Sequence, residues 1–330
     1  MLYRELGKSG IRVSVVGMGT WAIGGSAWGG TDEADSIAAL HRGLDAGINL
    51  IDTAPGYGLG LAEEFIGKAI KGRRREDIVL ATKVGLAWHV EEGTFFFEAN
   101  GTRVYRNLRP SSIRYEIEQS LRRLQVEYID LYQTHWPDPT TPIAETMGEL
   151  LRLKAEGKIR AIGASNVDIA QMEAYLAVGQ LDSNQPLYNM LDREIEQEVL
   201  PFCRAHQLAV LTYSSLERGL LTGTITPERR FPPDDMRAGN PRFSPDFLTR
   251  IHAMLEQFAP FRQKYGMNQT QLTIAWTISR PGVTSALVGV RNPGQAADIA
   301  PGGNAVISPD DLAAMDRIIA ALGPIPGYWG

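Results

Sequence analysis

Apolar residues fall in short, near-continuous runs that recur along the whole chain: Val15–Gly19, Ile48–Thr53, Ile78–Val84, Ile129–His135, Ile159–Ala164, Ser183–Leu187, Ala209–Tyr213 and Ala286–Val290. Runs that are apolar throughout, rather than alternating, are what strands buried on both faces show. Between them the period changes to that of helices. Ser111/Ser112 is placed to cap a helix whose apolar stripe is Ile113, Ile117, Leu121 and Leu124. Pro142 opens another, with Ile143, Met147, Leu150 and Leu151 inward and Gly157 ending it. Asp168–Gly179 and Ile195–His206 repeat the pattern, and Ser308-Pro309-Asp310 starts a helix with Leu312, Met315, Ile319 and Leu322 on one face.

Eight runs alternating with helical stretches predict an α/β protein, a (β/α)8 TIM barrel with a parallel sheet. Ahead of it, Leu2–Leu6 and Ile11–Val15 flank a Gly7-Lys-Ser-Gly10 turn and read as an N-terminal β-hairpin. No Pro/Gly/Ser linker divides the chain, so residues 1–330 are expected to form a single domain. Two stretches, 86–108 and 222–246, lack clear elements. Both follow predicted strands, which puts them on the C-terminal face of a barrel, where active sites sit.

Composition narrows the class of function. Lys+Arg of 33 against Asp+Glu of 38 leaves a net charge of −5, without the electrostatic footprint of a nucleic-acid binder. Lys71-Gly-Arg-Arg-Arg75 reads as a solvated helix end. No apolar run reaches the ~18 residues of a membrane span, and Met1–Lys8 lacks a signal-peptide layout, so a cytoplasmic location is expected. The single cysteine, Cys203, and histidines without ligand spacing predict no disulfide and no metal site. Gly17-Met-Gly19-Thr-Trp-Ala22 fits a loose dinucleotide fingerprint, but loop follows it where a Rossmann unit starts a helix.

The chemistry concentrates at predicted strand ends. Asp52 closes the second run, with Tyr57 five positions on; Lys83 ends the third and His135 the fourth. In a parallel barrel these ends converge on one mouth. Singly, each has a plain structural alternative: a cap, a snorkelling lysine, a packed ring, a hydrogen-bonded core histidine. Together on strands 2, 3 and 4 they point to a shared site.

Through Gly19-Thr-Trp21, Asp52-Thr-Ala-Pro-Gly-Tyr57, Ala81-Thr-Lys83, Asp130-Leu-Tyr-Gln-Thr-His135, Gly157–Asn166, Gln185-Pro-Leu-Tyr-Asn189 and Tyr213–Gly223, the chain resembles the aldo-keto reductases over essentially its whole length. The match looks closest to bacterial members of the general-stress-protein 69 and glycerol dehydrogenase type, particularly through Thr134–Pro139. The resemblance implies reduction of aldehydes or ketones with NADP(H) preferred and NAD(H) open. It implies Tyr57 as proton donor, Lys83 lowering the phenol's pKa from about 10, Asp52 pairing with Lys83, and His135 orienting the carbonyl oxygen. The cofactor contacts it implies begin with Gly19, Thr20, Trp21 and Asp52. Ser165, Asn166 and Gln185 hold the carboxamide, Tyr213 stacks on the nicotinamide, and Ser214, Ser215, Leu216, Arg218, Gly219 and Leu220 wrap the pyrophosphate. Gly289, Arg291, Gln295 and Asp298 take the adenosine end. Trp21, Trp88 and Trp136 are the expected substrate walls, with Trp28 and Phe95-Phe-Phe97 behind them. Two positions depart from the family pattern: Ser215 replaces a frequent proline, and Ile299 replaces an asparagine that follows the acidic position. Arg291 is the one evident cation for a 2′-phosphate.

The expected partner is a small carbonyl or alcohol substrate. Two other readings stand beside the reductase. One is a cofactor-sensing subunit like the family's potassium-channel β branch. The other is a Schiff-base aldolase using Lys83, which leaves Tyr213 and the Ser214–Leu220 loop unexplained.

Overall fold

A computed structural model describes residues 1–99 and 101–328; Asn100, Trp329 and Gly330 of the expected 1–330 domain lie outside the described residues. Eight parallel strands close a barrel: β1 (Val16–Gly19), β2 (Leu50–Asp52), β3 (Val79–Val84), β4 (Ile129–Thr134), β5 (Ile159–Ser165), β6 (Ser183–Gln185), β7 (Ala209–Thr212) and β8 (Ser285–Gly289). Each pairs with its sequence neighbours, and β8 returns to β1 through Ala286↔Val16 to Gly289↔Gly19. All eight expected strands are present.

Alternation within the strands builds two cores. Leu50, Val79, Ala81, Leu131, Ala161, Ala209, Leu211 and Leu287 cluster inside the barrel. Their neighbours Met18, Ile51, Leu80, Tyr132, Ile162, Val210 and Val288 belong to the outer core shared with the helices. The expected hairpin, Tyr3–Glu5 paired antiparallel with Arg12–Ser14, brings Leu6, Ile11 and Val13 onto the inner cluster. That leaves the opposite, C-terminal mouth for chemistry.

The helices follow their stripes, with local differences. Asp168 and Gln171 form a capping box on the helix Ile169–Val178, and Ser308 caps Pro309–Ala320. The helix Pro110–Leu124 starts on its proline with Arg109 as uncapped N-cap; Ser112 is inside it, and its hydroxyl donates to Glu116 instead. Ile195–His206 divides into a 3-10 turn, Glu194–Glu196, and a helix, Val199–His206. The stretch 86–108, expected to be loop, folds as a three-stranded antiparallel sheet of Leu86–Ala87, Thr94–Ala99 and Thr102–Arg106. Its alternation is hidden because a bulge between Phe95 and Phe97 shifts the register. The 222–246 stretch is irregular apart from a 3-10 turn at Pro241–Phe243 and the start of a helix, Pro245–Glu256.

Behind β3 lies a layer of buried carboxylates. Glu63 accepts from Thr82 Oγ1 and Arg123 Nε, both at 2.7 Å. Glu116 accepts from Ser112 Oγ at 3.0 Å and the Gly85 amide at 3.1 Å. Burial pushes the Glu116 carboxyl up from 4.5 to about 7, against the pull of those two donors. The folded protein therefore keeps this proton at pH values where the unfolded chain has released it. Folding stability is expected to fall as pH rises from 4.5 towards about 7 and to level off above. Glu116→Gln should remove that slope and stabilise the protein at pH 8 by about 3 kcal/mol, read by urea unfolding across pH. A difference between variant and wild type that stays constant with pH would contradict this.

Candidate active site

At the C-terminal mouth, Asp52 is the last residue of β2 and sits in register with Gly19 and Ala81. Lys83, near the end of β3, sits beside Gln133 of β4. Both charged groups are buried, Lys83 at 1% exposure. Lys83 Nζ donates to Asp52 Oδ1 at 2.7 Å, to the Thr53 carbonyl at 2.9 Å and to the Tyr57 hydroxyl oxygen at 3.1 Å. Tyr57 is delivered by a turn whose backbone presses on a neighbouring loop. A Cβ on Gly58, at φ +66°, would stand 2.3 Å from the Gly24 carbonyl oxygen, and one on Gly24 would stand 2.6 Å from the Tyr57 carbonyl carbon. Only glycine fits at either place.

The electrostatics follow from this packing. Burial would pull the Lys83 ammonium down, but Asp52 and Tyr57 outweigh it and hold the lysine charged above its usual range. Burial pushes the Tyr57 phenol up, Lys83 pulls it back and Asp52 opposes that pull. The net shift is upward, so the lysine does not bring this phenol below its ordinary value in the protein alone. Burial and the Lys83 charge hold His135 well below the usual histidine range, hence neutral. Its ring stands edge-on to Tyr57 at 5.8 Å, and its Nδ1 is buried without a hydrogen-bond partner.

A cleft of about 1570 Å³ runs from Tyr57 and His135 to Arg291, Gln295 and Asp298. Of the expected contacts, all line it except four, one of them Phe95, which is exposed and packs edge-on to Tyr105. Lys83 lies beneath Asp52 and Tyr57. Leu220 is buried in the outer core at 1% exposure. Trp88 turns away, its ring under the Arg123 guanidinium at 6.0 Å, so it walls no pocket here. Phe96 and Phe97, from the unforeseen sheet, take that side instead, with Phe96 against Trp136 at 5.5 Å. Trp21 and Trp28 meet edge to face at 5.4 Å.

Near Tyr57 and Asp52 the cleft offers amides and hydroxyls. Gln185 Nε2 donates to Asp52 Oδ2 at 2.7 Å, Asn166 Nδ2 to the His135 carbonyl at 2.9 Å, and Tyr213 OH to Asn166 Oδ1 at 2.8 Å. Ser165 Oγ donates to the Gln185 carbonyl at 2.7 Å. Further along, Ser214, Glu217 and Arg218 all hold left-handed backbone at φ +56°, +45° and +53°. Strain of that kind, about 1–3 kcal/mol per residue, gathers at ligand clamps. Arg218 lies across the Tyr328 ring at 4.3 Å and bonds Glu217 Oε1 at 2.5 Å, while its Nη1 is buried with no partner. At the far end Arg291 reaches the Trp28 and Gly30 carbonyls at 3.0 and 2.5 Å, and Gln295 Oε1 caps its amide at 2.8 Å. The Asp298 carboxylate accepts from Asn268 and Gln271. Arg229 and Arg237 also line the cleft, so Arg291 is not its one evident cation. Their signal was the arginine-rich 222–246 stretch, which does contribute to the cleft wall as expected.

The size of the cleft and this donor set fit a nicotinamide dinucleotide: amides at one end, an unpartnered guanidinium nitrogen midway, arginines at the other. A model of the aldo/keto reductase family matches residues 15–320. The chain belongs to the aldo/keto reductase family. Members are oxidoreductases that act on carbonyls with nicotinamide cofactors. This aldo/keto reductase is 45% identical over 297 residues to aldo-keto reductase YhdN of Bacillus subtilis, covering 89% of the chain and 86% of the relative. It is 43% identical over 325 residues to the NADH-specific methylglyoxal reductase of Escherichia coli, covering 96% and 98%. Among solved structures, the glycerol dehydrogenase AKR11B4 of Gluconobacter oxydans superposes with a TM-score of 0.86 at 40% identity, covering 96% and 94%. Among the described residues no group of His, Cys, Asp and Glu could hold a metal, and no helix is long and apolar enough to cross a membrane.

Removing the ammonium strands a buried carboxylate. Lys83→Met should destabilise the fold by about 3–5 kcal/mol, and adding Asp52→Asn should recover much of that loss. Urea midpoints of the two single variants and the double variant measure it; strictly additive losses would contradict the coupling.

Proposed function

We propose that this aldo/keto reductase reduces aldehydes or ketones to alcohols with NADP(H) preferred, Tyr57 giving the proton. The observation that carries the reading is the Lys83 ammonium held 2.7 Å from Asp52 and 3.1 Å from Tyr57 at the end of a dinucleotide-sized cleft. Bound nicotinamide cofactor supplies the hydride. Negative charge then develops on the carbonyl oxygen, and Tyr57 donates its proton there. Lys83, held charged by Asp52, stabilises the phenolate that remains. Neutral His135, whose buried Nδ1 has no acceptor for a proton, carries its proton on Nε2 and donates to the same oxygen. Ser165, Asn166 and Gln185 orient the carboxamide, and Tyr213 supports the ring.

Trp21, Trp136, Phe96 and Phe97 favour a substrate with an apolar face, while the names of two relatives point to small carbonyls and polyols. The arginine-lined end of the cleft supports NADP(H), with Arg291 facing the 2′-phosphate. On this reading the whole chain acts as one domain in the cytoplasm, on a small carbonyl or alcohol and without a nucleic-acid or membrane partner.

Tyr57→Phe should lower kcat for aldehyde reduction by about 10²-fold or more while leaving NADPH affinity within about threefold. Tight NADPH binding with no turnover on any carbonyl would overturn the reading in favour of a sensing subunit. Arg291→Ala should cut kcat/KM for NADPH about tenfold and leave that for NADH unchanged. Equal losses for both cofactors would remove Arg291 from phosphate recognition.

A further inference from the structure

Gln133, two residues before His135 on β4, is fully buried inside the barrel. Its Nε2 stands 3.3 Å from Asp52 Oδ2, and its Oε1 stands 3.4 Å from Gln185 Nε2. Gln185 in turn donates to Asp52 Oδ2 at 2.7 Å. The carboxylate is thus gripped from both sides, by the Lys83 ammonium on Oδ1 and by two carboxamides on Oδ2. The pattern also fixes both amides, since Gln133 must turn its nitrogen to Asp52 and its oxygen to Gln185. Space for the side chain comes from Gly163, its register partner on β5. A Cβ there would stand 2.7 Å from Gln133 Cγ and 2.4 Å from Ser183 Oγ. A leucine fills a similar volume, so packing alone does not account for an amide at this point.

We propose that Gln133 is a positioning residue for the reduction, locking Asp52 in the orientation that serves Lys83 and drawing off part of its charge. The charge on Asp52 works against ionisation of Tyr57, so a donor on Oδ2 eases release of the phenolic proton. This rests on the reading of Tyr57 as proton donor. The committed Gln185 nitrogen leaves Gln185 Oε1 as the atom to accept from a carboxamide.

The test uses Gln133→Leu and Gln133→Glu in the full chain. Tyrosinate absorbance of the cofactor-free protein, with the Tyr57→Phe titration subtracted, isolates Tyr57. In Gln133→Leu that titration should move up by about half to one pH unit, because Tyr57 then faces an Asp52 charge with one donor fewer to screen it. Its kcat should fall about threefold to tenfold, with NADPH Kd and carbonyl KM within about twofold. Gln133→Glu should match wild type at low pH, where the new carboxyl keeps its proton and donates to Asp52. It should lose activity as pH rises through an ionisation that wild type lacks. A Gln133→Leu protein with the wild-type Tyr57 titration and kcat profile would overturn the proposal, as would a loss tracking lowered thermal stability alone. Wild type without Tyr57-dependent turnover would instead sink the reading of the function, because the titration is made without cofactor or substrate.

Discussion

A lysine ammonium taken out of water costs several kcal/mol unless its donors are filled and an opposite charge stands beside it. Lys83 has all three donors filled, by a carboxylate, a carbonyl and a phenol. The same three bonds fix where β2 and β3 must end relative to each other and where the turn at Tyr57 must come down. They also explain why the phenol is not simply acidified: burial that strengthens the pair disfavours a second anion beside Asp52. On the proposed reading, a proton held in this way is given up when charge appears opposite it, as a carbonyl accepting hydride provides.

Most of this arrangement is legible in the chain itself. Strands buried on both faces carry few polar positions, so the barrel strands stand out as largely apolar runs, except β6, whose three residues are Ser-Asn-Gln. Asp52, Lys83 and His135 are legible because a parallel barrel brings strand ends together however far apart they lie in sequence. What lies beyond the strand ends is less so. Trp88 follows the third run as Trp136 follows the fourth, yet one turns outward and the other into the cleft, and nothing local distinguishes them. The sheet at 86–106 escapes notice because its bulge breaks the alternation that would reveal it. Gln133 is visible only inside a motif, since its meaning depends on a partner 52 residues away and a glycine on the next strand.

The cleft wall at residues 214–218 is held by polar ties. Arg242 is paired with Asp192 at 2.6 and 2.7 Å and reaches the Pro326 carbonyl at 2.8 Å, and Tyr328 OH meets Ser214 Oγ at 2.6 Å. These contacts brace the left-handed backbone of residues 214–218 from behind. A loop strained in this way stays open only because its surroundings over-determine it.

The return of β8 to β1 has a consequence for how the molecule assembles. That seam joins residues near 286 to residues near 16, and Arg4 and Ser285 add bonds across it, to the Val283 and Ile278 carbonyls and to the Ser14 carbonyl. Parallel pairings of such sequence separation carry a large loop-closure cost before their contacts repay it. The cleft straddles this seam, with Thr20 and Trp21 on one margin and Gly289 and Arg291 on the other. A ligand lying across it touches both margins, so it acts as a clasp on the pairing that closes the barrel.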